Sequence, residues 1–199
     1  MRSTKSSPIV IRSVRRAGIV TLAMVAGAAA ISAPVQASPI VAVRPAAVAP
    51  ELTAAKTVAF TGHYKGHATL LINNGAVTIP SVAGTGTGTG LGASKISGKG
   101  SAGASAQCDP FSGTGAITGA HAKLTLVVKS SSATGCSSGE SGPVSVSFHG
   151  VAVVKSGTGA LAGASGSLKF HGTLNIGGTS GSQNGPYTVT LTGKLSVKG

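Results

Sequence analysis

The sequence predicts an all-β protein: a single antiparallel β-barrel of about eight strands, with a β-sandwich as the alternative. Three observations carry this expectation. Apolar and polar residues alternate with period two over most of the chain after residue 57, the mark of strands with one buried face. No stretch there has helical periodicity. Large apolar residues and glycines recur two positions apart, on faces that alternation would bury.

The N-terminus reads as a secretory signal over residues 1–37. Arg2, Lys5, Arg12, Arg15 and Arg16 form a basic leader, Ala17 to Ile31 are apolar or small, and Val35-Gln36-Ala37 offers the small residues of a cleavage site. Fifteen such residues fall short of the ~20 that a membrane-crossing helix needs, so no span is expected after processing. Residues 38–56 are rich in Pro, Ala and Val without a period and read as a flexible spacer. The barrel domain is expected over residues 57–199.

Within that domain, Val58, Phe60, Gly62, Tyr64, Ala68, Leu70 and Ile72 form the first inward row. Asn73-Asn74-Gly75 follows as a hairpin signal, because Asn and Gly tolerate positive φ, and residues 76–82 are the returning strand. Further rows are Ala122 to Val128, Val144 to Phe148, Leu168 to Ile176, and Tyr187 to Val197. Even-numbered side chains point inward in most segments and odd-numbered ones in the last.

Glycine placement favours the barrel over the sandwich. Phe60-Thr61-Gly62, Phe148-His149-Gly150, Phe170-His171-Gly172 and Leu191-Thr192-Gly193 repeat one spacing, and an inward glycine lets a strand coil around a small barrel. A hairpin centred on residue 160 sets Phe148 against Gly172 and Phe170 against Gly150, each ring covering the glycine opposite. Gly113 to Ala120, Gly157 to Ala164 and the weaker copy Thr87 to Ala93 read as tight turns, with Ile117, Leu161 and Leu91 plugging a barrel end.

The run Gly157-Thr158-Gly159-Ala160-Leu161-Ala162-Gly163-Ala164-Ser165-Gly166 and the strand after it resemble the turn and strand of dirigent and allene-oxide-cyclase-like proteins. That resemblance covers about one fifth of the domain. It implies an eight-stranded antiparallel barrel with a cavity at its mouth. It carries no activity across, since no acidic residue within a strand matches the family's catalytic one.

Cys108 and Cys136, in an exported chain, are expected to form one disulfide. An unbroken strand over residues 113–129 would place its ends about 53 Å apart. The disulfide therefore requires a fold-back near Gly119.

The processed chain carries ten lysines and Arg44 against Glu51, Asp109 and Glu140, and is strongly basic. Such a surface attracts polyanions such as anionic envelope polymers. Nucleic acid is not expected as a partner, because arginine is nearly absent and the lysines are scattered singly.

No catalytic residue is assigned. Asp109 and Glu140 could meet near the disulfide as a carboxylate pair, but a turn cap and a solvated loop charge account for them. His63 and His67 lie about 13 Å apart on a strand and cannot share a metal. His149 and His171 fall opposite each other on the outer face, where cross-strand neighbours about 5 Å apart can hold one ion; solvated strand residues are the plainer account. Neither a nucleophile elbow nor a phosphate loop is present. Five of the six aromatic residues fall on inward faces, leaving Phe111 in a loop.

The expectation is a secreted, basic, non-enzymatic barrel of the bacterial cell exterior, without a cofactor. Its partner would be a small apolar ligand, in a cavity lined by Tyr64, Phe148, Phe170 and Tyr187, or an anionic envelope polymer. The alternatives are a dirigent- or cyclase-like enzyme, and a structural or adhesive protein with a filled barrel.

Overall fold

The computed structural model describes residues 54–199; the expected signal and nearly all of the expected spacer lie outside the described residues. Eight strands follow in chain order: β1 (Ala55–Asn73), β2 (Ala76–Gly88), β3 (Gly92–Gly103), β4 (Cys108–Gly119), β5 (Ala122–Ser137), β6 (Val144–Gly159), β7 (Ser165–Ile176) and β8 (Gly181–Lys198). Each strand pairs antiparallel with the next, and β8 returns to pair with β1, closing the barrel. No helix occurs among the described residues. The fold is thus the barrel and not the sandwich. Its first strand starts at Ala55, two residues before the expected boundary.

The connections divide between two ends. One end gathers residues 89–91, 120–121 and 160–164 with both termini of the barrel; the other gathers residues 74–75, 104–107, 138–143 and 177–180. The Asn74-Gly75 hairpin forms as its residue types dictate, with φ of 47° and 77°. The inward rows also follow the alternation: Phe60, Tyr64, Ala68 and Leu70 on β1 are buried while Thr61, His63 and Lys65 between them are exposed.

The hairpin of β6 and β7 has the expected register, with Phe148 opposite Gly172, His149 opposite His171 and Gly150 opposite Phe170. Only half of the expected ring-over-glycine packing occurs. A Cβ on Gly172 would lie 2.5 Å from the Phe148 ring, whereas one on Gly150 would strike the backbone and methyl group of Ala133 on β5. A bulge in β5 between Val128 and Ala133 pushes Ala133 into the place foreseen for Phe170.

Bulges also revise the parity. In β2 the odd-numbered Val77 and Ile79 face inward before an irregularity between Ile79 and Val82; after it the even-numbered residues do. β4 carries its inward row on the odd-numbered Phe111, Gly113, Gly115 and Ile117.

The glycine-rich repeats are mostly strand. Gly113 to Gly119 belong to β4, Gly157 to Gly159 end β6, and Thr87-Gly88 end β2, so the turns are shorter than the repeats. Glycine alternating with Thr and Ser builds extended chain with a bare inner face. The fold-back falls at residues 120–121, directly after Gly119. It makes Cys108 and Cys136 register partners on β4 and β5, and they form the disulfide.

Candidate functional site

The lower half of the barrel, toward the chain termini, is solid. Phe60, Ile117, Leu124, Leu161, Leu168 and Leu195 are the largest fully buried side chains. Leu91 and Leu161 project from two connections and Ile117 from near the end of β4, so the three expected plugs do seal this end. The two loops touch across it: a Cβ on Gly90 would lie 3.2 Å from Leu161.

The upper half is hollow. A cavity of about 570 Å³ runs from the middle of the barrel to the opposite end, where it opens. Leu70, Val82, Ile96, Leu126, Leu174 and Val189 are among the side chains around it. Phe111, Phe148 and Phe170 cluster at its inner side, with ring centroids 5.9–6.4 Å apart and mutually tilted or edge-on. Such geometry suits the ring quadrupoles.

The space exists because one stretch of the wall has no side chains. On β3 and β4, Gly98 faces Gly115 and Gly100 faces Gly113. A Cβ on Gly113 would approach the Lys99 carbonyl oxygen to 2.7 Å, and one on Gly115 the Ser97 carbonyl oxygen to 2.8 Å. The two strands lie too close for any larger residue, and the volume that inward side chains fill elsewhere is left open here.

The mouth is polar and stitched by hydrogen bonds. Gln107, Asp109, Glu140 and Thr179 border it. The Asp109 carboxylate accepts from the Ala106 backbone N–H at 3.0 Å and the Ser105 hydroxyl at 3.2 Å, capping the β3–β4 turn. The Thr179 hydroxyl donates to the Glu140 carbonyl at 3.3 Å, joining two rim loops. The disulfide ties the β4–β5 side of the rim.

Two tyrosine hydroxyls lie inside. Tyr64 and Ser94 share a hydrogen bond of 3.0 Å, and Ser94 donates on to the Gly92 carbonyl. Burial pushes the Tyr64 phenol up in pKa, and the Ser94 bond partly offsets this. The Tyr187 hydroxyl has no partner and rests against Gly84 of β2. Burial alone pushes its pKa up to about 12.

Of the four residues expected around the cavity, Phe148, Phe170 and Tyr187 line it. Tyr64 does not; it packs in the solid half, over Gly88. Phe111, expected in a loop, lies on β4 and joins the aromatic cluster. Asp109 is the first inward position of that strand, so an acid does reach the lip of the interior; the turn it caps uses both of its oxygens. The unrecognised parts were Phe111 and the glycine wall, and the available signal was glycine itself at period two.

His149 and His171 are cross-strand partners, both exposed on the outer wall. The same transverse row continues through Thr190 to His63, whose Nδ1 lies 3.1 Å from the Thr190 hydroxyl. Among the described residues no group of three His, Cys, Asp or Glu side chains could hold a metal ion. No protein-family model, curated protein or solved structure matches the chain.

Proposed function

We propose that this protein is an exported binding protein that holds a small apolar molecule in the open half of its barrel. One observation carries the reading: a cavity of about 570 Å³, lined mainly by aliphatic and aromatic carbon, with a single polar rim. That volume falls within the range of small-molecule sites, roughly 300–1,000 Å³. A filled barrel, as a purely structural role would favour, has no such space. Ring-closing chemistry of the cyclase type needs ionisable groups aimed at the bound molecule. Here the inward ionisable groups are Asp109, occupied in a turn cap, and two phenols held neutral at ordinary pH.

The disulfide supports residence outside the cytoplasm, where such bonds persist. Protein recovered from the culture medium should begin at Ser38, as N-terminal sequencing will read.

The binding test has two arms. Native mass spectrometry of the secreted protein should reveal a co-purifying small molecule, and a naphthylamine dye should brighten on titration. The Gly135→Leu variant is the control. A Cβ at Gly135 makes only ordinary contacts, with Val146 at 3.6 Å and Phe111 at 3.9 Å, and Gly135 borders the cavity. The leucine should occupy ligand space, abolishing dye binding while thermal unfolding stays cooperative. Absence of both adduct and dye response, or undiminished dye binding by the folded variant, overturns the reading.

A further inference from the structure

All ten lysines of the described residues are exposed, yet they are not spread evenly along the barrel axis. Lys56 on β1, Lys95 on β3, Lys123 on β5, Lys155 on β6, and Lys194 and Lys198 on β8 all lie within five residues of a strand terminus at the sealed end. Lys169, the fifth residue of β7, completes a collar that misses only β2 and β4. Lys65, Lys99 and Lys129 sit nearer mid-barrel. The two acids of the described residues, Asp109 and Glu140, are both at the opposite end, on the rim of the mouth.

The face inside the collar is small and uncharged. Gly90, Ala93, Ala120, Ala160 and Ala162 are exposed there, with His121 as the one titratable side chain of the connecting loops. Lys95 and Lys123 lie two strands apart, on either side of Thr118, whereas Lys169 and Lys194, and Lys56 and Lys198, are diagonal neighbours on paired strands. Spacings of one to two strands, roughly 5–10 Å, gather the ammonium groups around one end of the barrel.

From this polarity we infer that the sealed end docks on an anionic lipid bilayer, with the mouth directed away from it. The shape of the charge selects a planar partner over a linear one. A polyanionic chain can follow only one side of a barrel, whereas a flat surface engages the whole collar at once. In the reverse orientation the acids of the rim would meet the anionic surface and be repelled, so the polarity fixes orientation as well as affinity. The charge polarity is independent of whether the cavity holds a ligand.

The test compares two sets of charge-neutral variants of the purified protein by co-sedimentation with vesicles. Wild-type protein should bind vesicles containing phosphatidylglycerol, bind phosphatidylcholine vesicles far more weakly, and be released by salt. Each lysine near such a surface contributes appreciably, so Lys95→Gln, Lys123→Gln and Lys194→Gln together should weaken binding roughly tenfold or more. Lys65→Gln, Lys99→Gln and Lys129→Gln remove the same net charge from mid-barrel and should cost far less. Circular dichroism of both sets checks that the barrel is intact. Equal losses in the two sets overturn the docking face. Failure to bind phosphatidylglycerol vesicles, or capture by a soluble polyphosphate without capture by vesicles, overturns the lipid partner.

Discussion

Tyr64 and Tyr187 project into the same interior and are almost equally buried, at 3% and 6% exposure, but only Tyr64 has a hydrogen-bond partner. Replacing each by phenylalanine removes one oxygen and leaves the ring packing in place, so the two variants isolate the value of that partner. In the unfolded chain both hydroxyls are hydrated. On folding, Tyr64 exchanges water for Ser94, a trade worth about 1 kcal/mol net, while Tyr187 forfeits its water for nothing, at a cost of about 1–3 kcal/mol. Tyr64→Phe should therefore destabilise by about 1 kcal/mol and Tyr187→Phe should stabilise by a similar amount, as measured by urea unfolding at pH 7 with unchanged m-value. Alkali adds a second reading. The Tyr187 phenol has a folded pKa of about 12 against 10.0 unfolded, so below pH 10 both states hold the proton and stability is unaffected. Between pH 10 and 12 the unfolded chain releases it first, and stability falls by up to roughly 2–3 kcal/mol. Tyr187→Phe lacks that loss, so its advantage should widen over the same interval. A variant less stable than wild type at pH 7, or a gap that does not grow in alkali, refutes the account of an unpartnered hydroxyl.

Two further outcomes follow from the backbone and the disulfide. Gly159 has φ of 61° and a Cβ there would collide with the His121 carbonyl, so Gly159→Ala should cost about 2–4 kcal/mol. Gly135→Ala should stay within about 0.5 kcal/mol of wild type, both variants being measured by thermal melts. The disulfide closes a separation of 28 residues, and replacing both cysteines by serine should lower stability by about 3–4 kcal/mol in denaturant titration.

The parts of the fold that were legible in sequence are those in which large side chains mark the inward face. The rows of β1, β7 and β8 announce themselves through Phe60, Tyr64, Leu168, Phe170, Leu191 and Leu195, and the β6–β7 register follows from the Phe-His-Gly repeat. β3 and β4 were hidden because most of their inward positions are glycine, serine or alanine: Ser94, Gly98, Gly100 and Ala102 give almost no apolar contrast with Lys95, Ser97, Lys99 and Ser101. Alternation records hydrophobicity, and a face without side chains has none to record. A cavity was expected, with Phe148, Phe170 and Tyr187 among its lining, but not the glycine wall that opens it, since that opening is the volume of residues that are not there. Phe111, the largest side chain in that region, looked like a loop residue because serine and glycine follow it. Cys108 and Cys136 were legible because a covalent bond between them admits only a hairpin.

Closure of the barrel depends on a single ladder, β1 with β8, which runs from Ala55 opposite Lys198 to Ile72 opposite Gly181. The other seven ladders join strands adjacent in sequence and can zip from short hairpins, at small entropic cost. The seam joins residues at the extremes of the domain, so it can form only after the intervening chain has been brought round. Until then β1 and β8 are open edges, able to recruit the same strands of another molecule. Extended pairing along the full seam, in one register, makes the finished ring a unit in which no strand can leave without exposing two others.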